Sequence, residues 1–337
     1  MKVYRLKEFS LGGLQQIEEP EPHAPVGRQV LVRLRASSLN ARDWRSTNGT
    51  IATITKPGGI PLCDGAGEVV TLGPDVTRVR PGDRVAVNYH WNWIGGPIPD
   101  EFNLYGRNVH PDDGMLTELR LLDESELVRL PEHLSFEEGA TLPCAALTAW
   151  SALHGDQPLL PGEDVLVQGT GGVSVFALQI AKLSGARVIA LTLTPEKTDA
   201  LKALGADVVI DASSGPGWHK DVLEATRGRG VDVTVDVLGY TRWDDSVAAT
   251  RENGRISMVG AIGGRGGGLS DHFMMRGLHL HPTRVGSRVR FEQMNRALAL
   301  HGVRPVIDRV FDFDDARSAF QYFEQHGRLG KVVIRHG

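Results

Sequence analysis

Residues 60–70, IPLCDGAGEVV, set a thiol and a carboxylate side by side, Cys63 and Asp64. Both are metal donors, so the pair either holds an ion or marks a site that lacks one. The chain has one other cysteine, Cys144 in LPCAALTAW. Two thiols are too few for a disulfide framework or a four-thiolate zinc site, so any metal must draw on other ligands; the bland reading is two small buried thiols. NYHWNWIGG, residues 88–96, gathers Tyr89, His90, Trp91 and Trp93. These rings either wall a pocket for a flat, apolar molecule, with Tyr89 or His90 as a proton donor, or form core. His279 and His281 in GLHLHP share one strand face, and with no third ligand they read as an edge strand.

A second constellation is VLVQGTGGVSVFALQIAK, residues 165–182, which reads as strand, glycine turn and helix. A tight turn at Gly169, then Thr170 and the bare backbone of Gly171 and Gly172, brings the helix N-terminus at Val173 and Ser174 toward a pyrophosphate. Ser174 stands where the third glycine of G-x-G-x-x-G is expected. At the end of the next strand the sequence offers Thr192, Thr194 and Lys197 in place of the acid that would bind the ribose hydroxyls of NAD. Threonine hydroxyls and an ammonium suit a 2′-phosphate, so NADP(H) is the expected cofactor; otherwise the threonines cap the helix beginning near Pro195. Leu238 and Gly239 of VDVLG, with Val259 and Gly260 of SMVG, end parallel strands at the same expected edge.

The elements that must position these residues fall into two textures. Up to about residue 130, short alternating strands such as QVLVRLRA and RVAVNY lie between Gly- and Pro-rich turns, as in a β-barrel-like domain. Beyond it, buried strands alternate with helical patterns, as in βαβ units. The expected boundaries are 1–128 with 287–337 for one domain and 129–286 for the other, and 337 residues suit two cores. Hydrophobic residues make up 41% and the net charge is −4, which gives a phosphate backbone or an anionic membrane nothing to attract it. No apolar run suggests a leader or a membrane span, so a cytoplasmic protein is expected. Asn48-Gly49-Thr50 matches a glycosylation sequon, but in a cytosolic chain it reads as a turn.

In this order, ASSLNARDW, GAGEVVTLG, RVRPGDRVAV, LPCAALTAW, VDVLG and GRLGKVVI resemble the medium-chain dehydrogenase/reductase superfamily over nearly the whole chain. The nearest resemblance is to its zinc-independent quinone oxidoreductase and zinc-type alcohol dehydrogenase-like branch. It implies an α/β protein with a GroES-like β-barrel catalytic domain plus a Rossmann doubly wound parallel sheet domain, working as a homodimer on a small molecule. In the zinc enzymes of the superfamily the metal ligands are Cys, His and Cys; here Asn40, Cys63 and Cys144 fall at those positions, with Asp64 at a neighbouring glutamate. The expectation is no metal, and Cys63 close to Cys144. The resemblance places Asn40 beside the nicotinamide, its amide donating to the substrate oxygen, with Asp43 orienting that region or capping a helix. Ser287, Arg288 and Lys331 are placed along the cofactor, where the two cations either neutralise phosphate or are solvated. The implied activity is NADPH-dependent hydride transfer to a quinone or an α,β-unsaturated carbonyl. Its alternatives are a zinc alcohol dehydrogenase built on Cys63, Cys144 and Asp64, or a non-catalytic NADPH-binding protein.

Overall fold

The computed structural model describes the chain apart from residues 101–105, 108, 110–111, 156, 261–270 and 326. It divides into two compact units, Met1–Leu147 with Val285–Gly337, and Thr148–Arg284.

In the first unit, β1 (Lys2–Leu6) and β2 (Leu14–Glu18) pair antiparallel. A larger sheet contains β3 (Gln29–Ser38), β4 (Asp64–Leu72), β5 (Arg84–Val87), β6 (Leu119–Asp123) and β7 (Leu127–Arg129). Six strands of the second unit intervene before β14 (Ile307–Asp312) and β15 (Lys331–Arg335) complete it. The order is β14-β15-β3-β4-β5-β7, with β6 also on β3. QVLVRLRASS forms its centre because alternate residues Val30, Val32 and Leu34 enter one apolar cluster with Val69, Val85, Val87 and Met115. The helix Phe136–Ala140 begins at Ser135, whose hydroxyl accepts from Glu138 N (3.1 Å), and packs on β3, β4 and β5. It leads into a π-helical turn, Leu142–Ala146. The first unit therefore runs to Leu147, past the expected 128, and resumes at Val285, because this helical stretch buries its face on the barrel strands.

The second unit holds β8 (Asp164–Gln168), β9 (Arg187–Thr192), β10 (Val208–Asp211), β11 (Val231–Asp236), β12 (Thr250–Met258) and β13 (His279–Pro282). All pair parallel in the order β10-β9-β8-β11-β12-β13, which is the doubly wound arrangement. The central strands β8 and β11 are buried at every position, which only a sheet covered on both faces allows. β13 is an edge strand, as its histidine pair suggested. Among the described residues, no helix is long and apolar enough to cross a membrane.

A buried histidine ties the C-terminus into the first unit. Thr117 O can only accept, so His336 Nδ1 carries the proton it receives (3.0 Å), and Nε2 takes the Ser37 hydroxyl (2.6 Å). Burial pushes the imidazole down to about 3, against the Thr117 bond that favours the charged form. The unfolded chain, titrating near 6.5, then binds more protons between those values, so stability is complete above about pH 6.5 and falls as pH drops, by about 1.4 kcal/mol per pH unit. His336→Gln, which keeps a donor and an acceptor, is expected to flatten this difference when urea midpoints are compared between pH 7 and pH 4.

Candidate active site

The chain enters the thiol–carboxylate pair through a constrained turn. Leu62 is wholly buried and sits at φ 69°, an unusual conformation for a branched side chain. Met115 N donates to Leu62 O (2.8 Å), and Gly114 lies so close that a Cβ there would come within 2.3 Å of the carbonyl oxygens of Pro61 and Leu62. Gly114→Ala is therefore expected to cost about 1–3 kcal/mol and to displace Cys63, read as a lower urea midpoint and faster reaction of the thiols with a maleimide.

Behind that turn, polar groups satisfy one another out of solvent. Asp64 Oδ2 accepts from Ser38 Oγ (2.9 Å), Asn40 Nδ2 (2.8 Å) and Lys331 Nζ (3.3 Å). Lys331, 2% exposed, also donates to Asn40 Oδ1 (2.6 Å) and Leu39 O (2.8 Å). An ammonium cannot accept, so it fixes which end of the Asn40 amide faces it. The NH2 end then points at Asp64, at Asp43 Oδ2 (3.3 Å) and at Cys63 Sγ (3.4 Å). Both amide hydrogens are thus engaged within the protein, where the resemblance has one donating to a substrate oxygen. The three Lys331 donors likewise serve this cluster, where the resemblance places the ammonium along the cofactor.

Asp43 is the third residue of the helix Ala41–Thr47 and accepts from Asn40 N (2.9 Å), closing the helix start. Its other oxygen accepts from Cys63 N (3.2 Å) and meets Arg42 Nη1 (3.4 Å). Burial raises its carboxyl above the usual range, opposed by Arg42, while Asp64 adds to the rise and Lys331 opposes it. Of the two roles expected for Asp43, the helix cap is the one its bond to Asn40 N makes, and its other oxygen also holds Cys63 N.

Cys63 Sγ, Cys144 Sγ and an Asp64 oxygen lie within 4.8 Å of one another, so the expected approach of the two thiols is present. Burial drives the Cys63 thiol well above its ordinary value, with the Cys144 contact next. Tyr89, 5% exposed, stacks edge-on against His90 with ring centroids 4.7 Å apart. Burial also raises its phenol far above the ordinary value; Arg42, 5.8 Å from the ring centroid, opposes the rise, and Cys144 and Cys63 add to it. A phenol so placed stays protonated at neutral pH, so it can donate a hydrogen bond and cannot act as a base. Arg42, which also donates to Arg107 O (2.7 Å), was passed over in the sequence although it stands inside ASSLNARDW between two residues that were singled out.

In the second unit the glycine turn follows β8 directly. Gly169 adopts φ 78°, and Gly171 is the N-cap of the helix Gly172–Leu183. A Cβ on either would meet nothing within 4 Å, so the fold itself leaves space at Gly169 and Gly171. First-turn amides have no partner within their helix, and beside unfilled space they fit a pyrophosphate. The Ser174 hydroxyl instead closes the turn, donating to Gln168 O (2.6 Å). Gln168 Oε1 accepts from Val237 N (3.2 Å) and Leu238 N (3.3 Å), and its Nε2 donates to Ser246 Oγ (2.8 Å). Ser246 and Gly239 N both donate to buried Asp236, at 2.6 Å each. This network fixes the ends of β8 and β11 to each other and brings Leu238 and Gly239 to the same edge. Gln168 was missed, although a neutral polar residue in a wholly buried strand was the signal for it.

Thr192 closes a local turn, its hydroxyl donating to Thr194 O (2.9 Å) and accepting from Thr194 N (3.0 Å), so it is less available to a phosphate than expected. Thr194 precedes the short 3-10 turn Pro195–Lys197, which Lys197 ends, and Thr194 makes no side-chain cap there. Val259 N donates to Asp236 O (2.8 Å), which sets Val259 and Gly260 just beyond β12. Ser287 is the N-cap of the helix Arg288–His301 in the first unit and accepts from Arg290 N (3.3 Å). Arg288 donates to Ser125 O (3.0 Å) and meets Glu292 at 3.5 Å. Of these two, expected along the cofactor, one caps a helix and the other bonds its own unit's backbone and carboxylate.

Comparison with known proteins bears on the same residues. A family described as zinc-binding dehydrogenase matches residues 172–300, and the alcohol dehydrogenase GroES-like domain matches residues 27–132. A zinc-type alcohol dehydrogenase-like protein of Schizosaccharomyces pombe is 35% identical over 335 residues, covering 96% of each chain. A quinone oxidoreductase of Pseudomonas aeruginosa is 31% identical over 98% of each. A solved NAD-dependent alcohol dehydrogenase superposes with a TM-score of 0.90 at 32% identity, over 100% of both chains. With a GroES-like domain, a doubly wound sheet and relatives matched from end to end, the chain belongs to the medium-chain dehydrogenase/reductase superfamily and is a nicotinamide-dependent oxidoreductase.

Proposed function

We propose that this enzyme is a metal-independent, NADPH-dependent reductase of quinones or α,β-unsaturated carbonyls. The observation that carries the reading is the orientation of Asn40, whose N–H groups face Asp64 Oδ2 (2.8 Å) and Cys63 Sγ (3.4 Å) while Lys331 holds the other end of the amide. A cation seated between Cys63, Cys144 and Asp64 would meet hydrogen-bond donors where it needs a lone pair. Without a Lewis acid an unactivated alcohol is a hard substrate, whereas a quinone or enone brings its own electrophilicity. Similarity to the P. aeruginosa quinone oxidoreductase supports the same direction.

NADPH is favoured because Thr192, the last residue of β9, stands where an acid would select NAD, and Thr194 and Lys197 follow it. Gly169, Thr170, Gly171, Gly172 and Val173 would hold its pyrophosphate, and the bound cofactor would supply the hydride. The chain's own part is to exclude water and deliver a proton, for which Tyr89, kept protonated beside the two thiols, is the candidate. The reading also takes the protein to be a cytosolic homodimer meeting its copy along β13, the outermost strand of its sheet.

One observation favours a second reading, a zinc alcohol dehydrogenase: three donor atoms do lie within 4.8 Å of one another. The test is metal content of protein purified without chelator or added zinc, followed by NADPH oxidation with a panel of quinones, enals and enones. Negligible zinc with turnover on that panel is the expected result. About one zinc per chain, lost together with alcohol oxidation on chelation, would establish the second reading.

A further inference from the structure

Cys63 and Cys144 are the only cysteines of the chain, and their sulfurs lie within 4.8 Å. They come from separate segments. Cys63 follows the strained Leu62, wholly buried; Cys144 sits in the π-helical turn Leu142–Ala146 and is part-exposed. A disulfide needs the sulfurs at about 2 Å, so a rotation about the side-chain bonds with a small yielding of one segment closes the gap. The π-turn is the segment suited to yield, since it is an irregular insertion between two regular helices rather than a strand in a sheet. A part-exposed cysteine beside a buried one is also the arrangement in which an oxidised sulfur meets its resolving partner before it meets a second oxidant.

We propose that Cys63 and Cys144 form a modification site for hydroperoxides, which convert the pair to an intrachain disulfide. Cys144, the reachable sulfur, attacks the terminal oxygen of the peroxide as thiolate, its proton passing to solvent. The O–O bond breaks, the peroxide leaves as an alcohol or water, and Cys144 becomes a sulfenic acid. Cys63 then displaces hydroxide from that sulfur, the S–S bond forms and water leaves, so two thiols and one hydroperoxide give one disulfide, one alcohol and one water. Both sulfurs are oxidised by one electron each, and the peroxide takes up the pair.

The disulfide reaches the site through the bonds Cys63 makes. In the reduced protein Cys63 Sγ accepts from Asn40 Nδ2 (3.4 Å) and donates toward Asp43 Oδ2 (3.6 Å) and Asp64 Oδ1 (3.7 Å). Oxidation removes the one hydrogen shared between these two buried carboxylates and turns the sulfur toward Cys144, leaving the pair one donor short. The inference rests on the metal-independent reading, because a bound zinc would hold both thiolates.

The experiment exposes full-length enzyme of measured zinc content to a small molar excess of tert-butyl hydroperoxide, then alkylates with a maleimide and records intact mass and a nonreducing peptide map. The expected result is a loss of about two mass units with no alkylation, a Cys63–Cys144 linked peptide, and an at least tenfold fall in turnover, all restored by dithiothreitol. Cys63→Ser is expected to leave Cys144 proceeding to sulfinic acid, a check made by mass that needs no activity. Zinc-free protein whose two cysteines remain alkylatable, or which oxidise separately, would overturn the inference alone. Zinc-loaded protein with protected thiols would overturn the metal-independent reading and the inference with it.

Discussion

Replacing Lys331 with methionine is expected to destabilise the first unit by about 3–5 kcal/mol, the cost of breaking a buried ion pair from one side. Methionine fills nearly the same volume, so the effect comes from the charge and not from a cavity. Lys331 Nζ reaches Leu39 O (2.8 Å), Asn40 Oδ1 (2.6 Å) and Asp64 Oδ2 (3.3 Å), and its side chain is 2% exposed. Without the ammonium, Asp64 keeps Ser38, Asn40 and the weak Cys63 thiol as donors, none of them charged, and still faces Asp43 across the Asn40 amide. Lys331→Met with Asp64→Asn removes both charges and is expected to recover most of the loss, since a neutral pair needs no counter-ion. Urea midpoints followed by tryptophan fluorescence make the comparison, using the transition that moves in the single variant because the two units need not unfold together. A single-variant loss under about 1 kcal/mol would mean that the ammonium is replaced by water at little cost. The argument that this cluster is self-sufficient without a metal would then fall.

How much of this was readable in the sequence depended on how far apart the interacting residues lie. The β8 strand, the turn at Gly169 and the helix after it were legible because each rests on local rules: a wholly buried strand, a backbone angle of φ 78° that glycine tolerates, and an amphipathic helix. Asp43 was half legible, because a carboxylate three residues after Asn40 is a capping pattern, whereas its bond to Cys63 N joins residues that sequence spacing does not relate. The bond between Lys331 and Asn40 was hidden for the same reason. Their types were plain, but a contact between the last strand and the start of the first helix is a product of the sheet order β15-β3-β4. Arg288 and Ser287 show it again, as a cation and a hydroxyl suited to phosphate but spent on Ser125 and on Arg290 N. The domain boundary slipped because helical texture after residue 135 gives no sign of which sheet it will cover. A buried polar group announces that it has a partner, and only the fold says which.

Gly171→Leu is expected to weaken NADPH binding by about 100-fold, equivalent to about 2.7 kcal/mol, while leaving the fold intact. Gly171 has φ −72° and ψ 174°, which any residue adopts, so the backbone carries no strain on substitution. A Cβ there meets nothing within 4 Å, so a side chain can leave the backbone without a clash. Gly169 would be a poorer test, because at φ 78° a leucine strains the turn whatever it does to the cofactor. The space left open at Gly171 lies before the N-terminus of a helix of 12 residues, where free N–H groups and the positive end of the dipole favour a phosphate anion. A leucine side chain covers those donors and brings apolar surface against the charge, so affinity falls without any change in stability. The readouts are NADPH fluorescence titration and the urea midpoint, the second expected to stay within about 0.5 kcal/mol of the parent. Unchanged affinity in a folded variant would mean that the pyrophosphate does not lie over this turn, and the glycines would then be explained by the tightness of the turn alone.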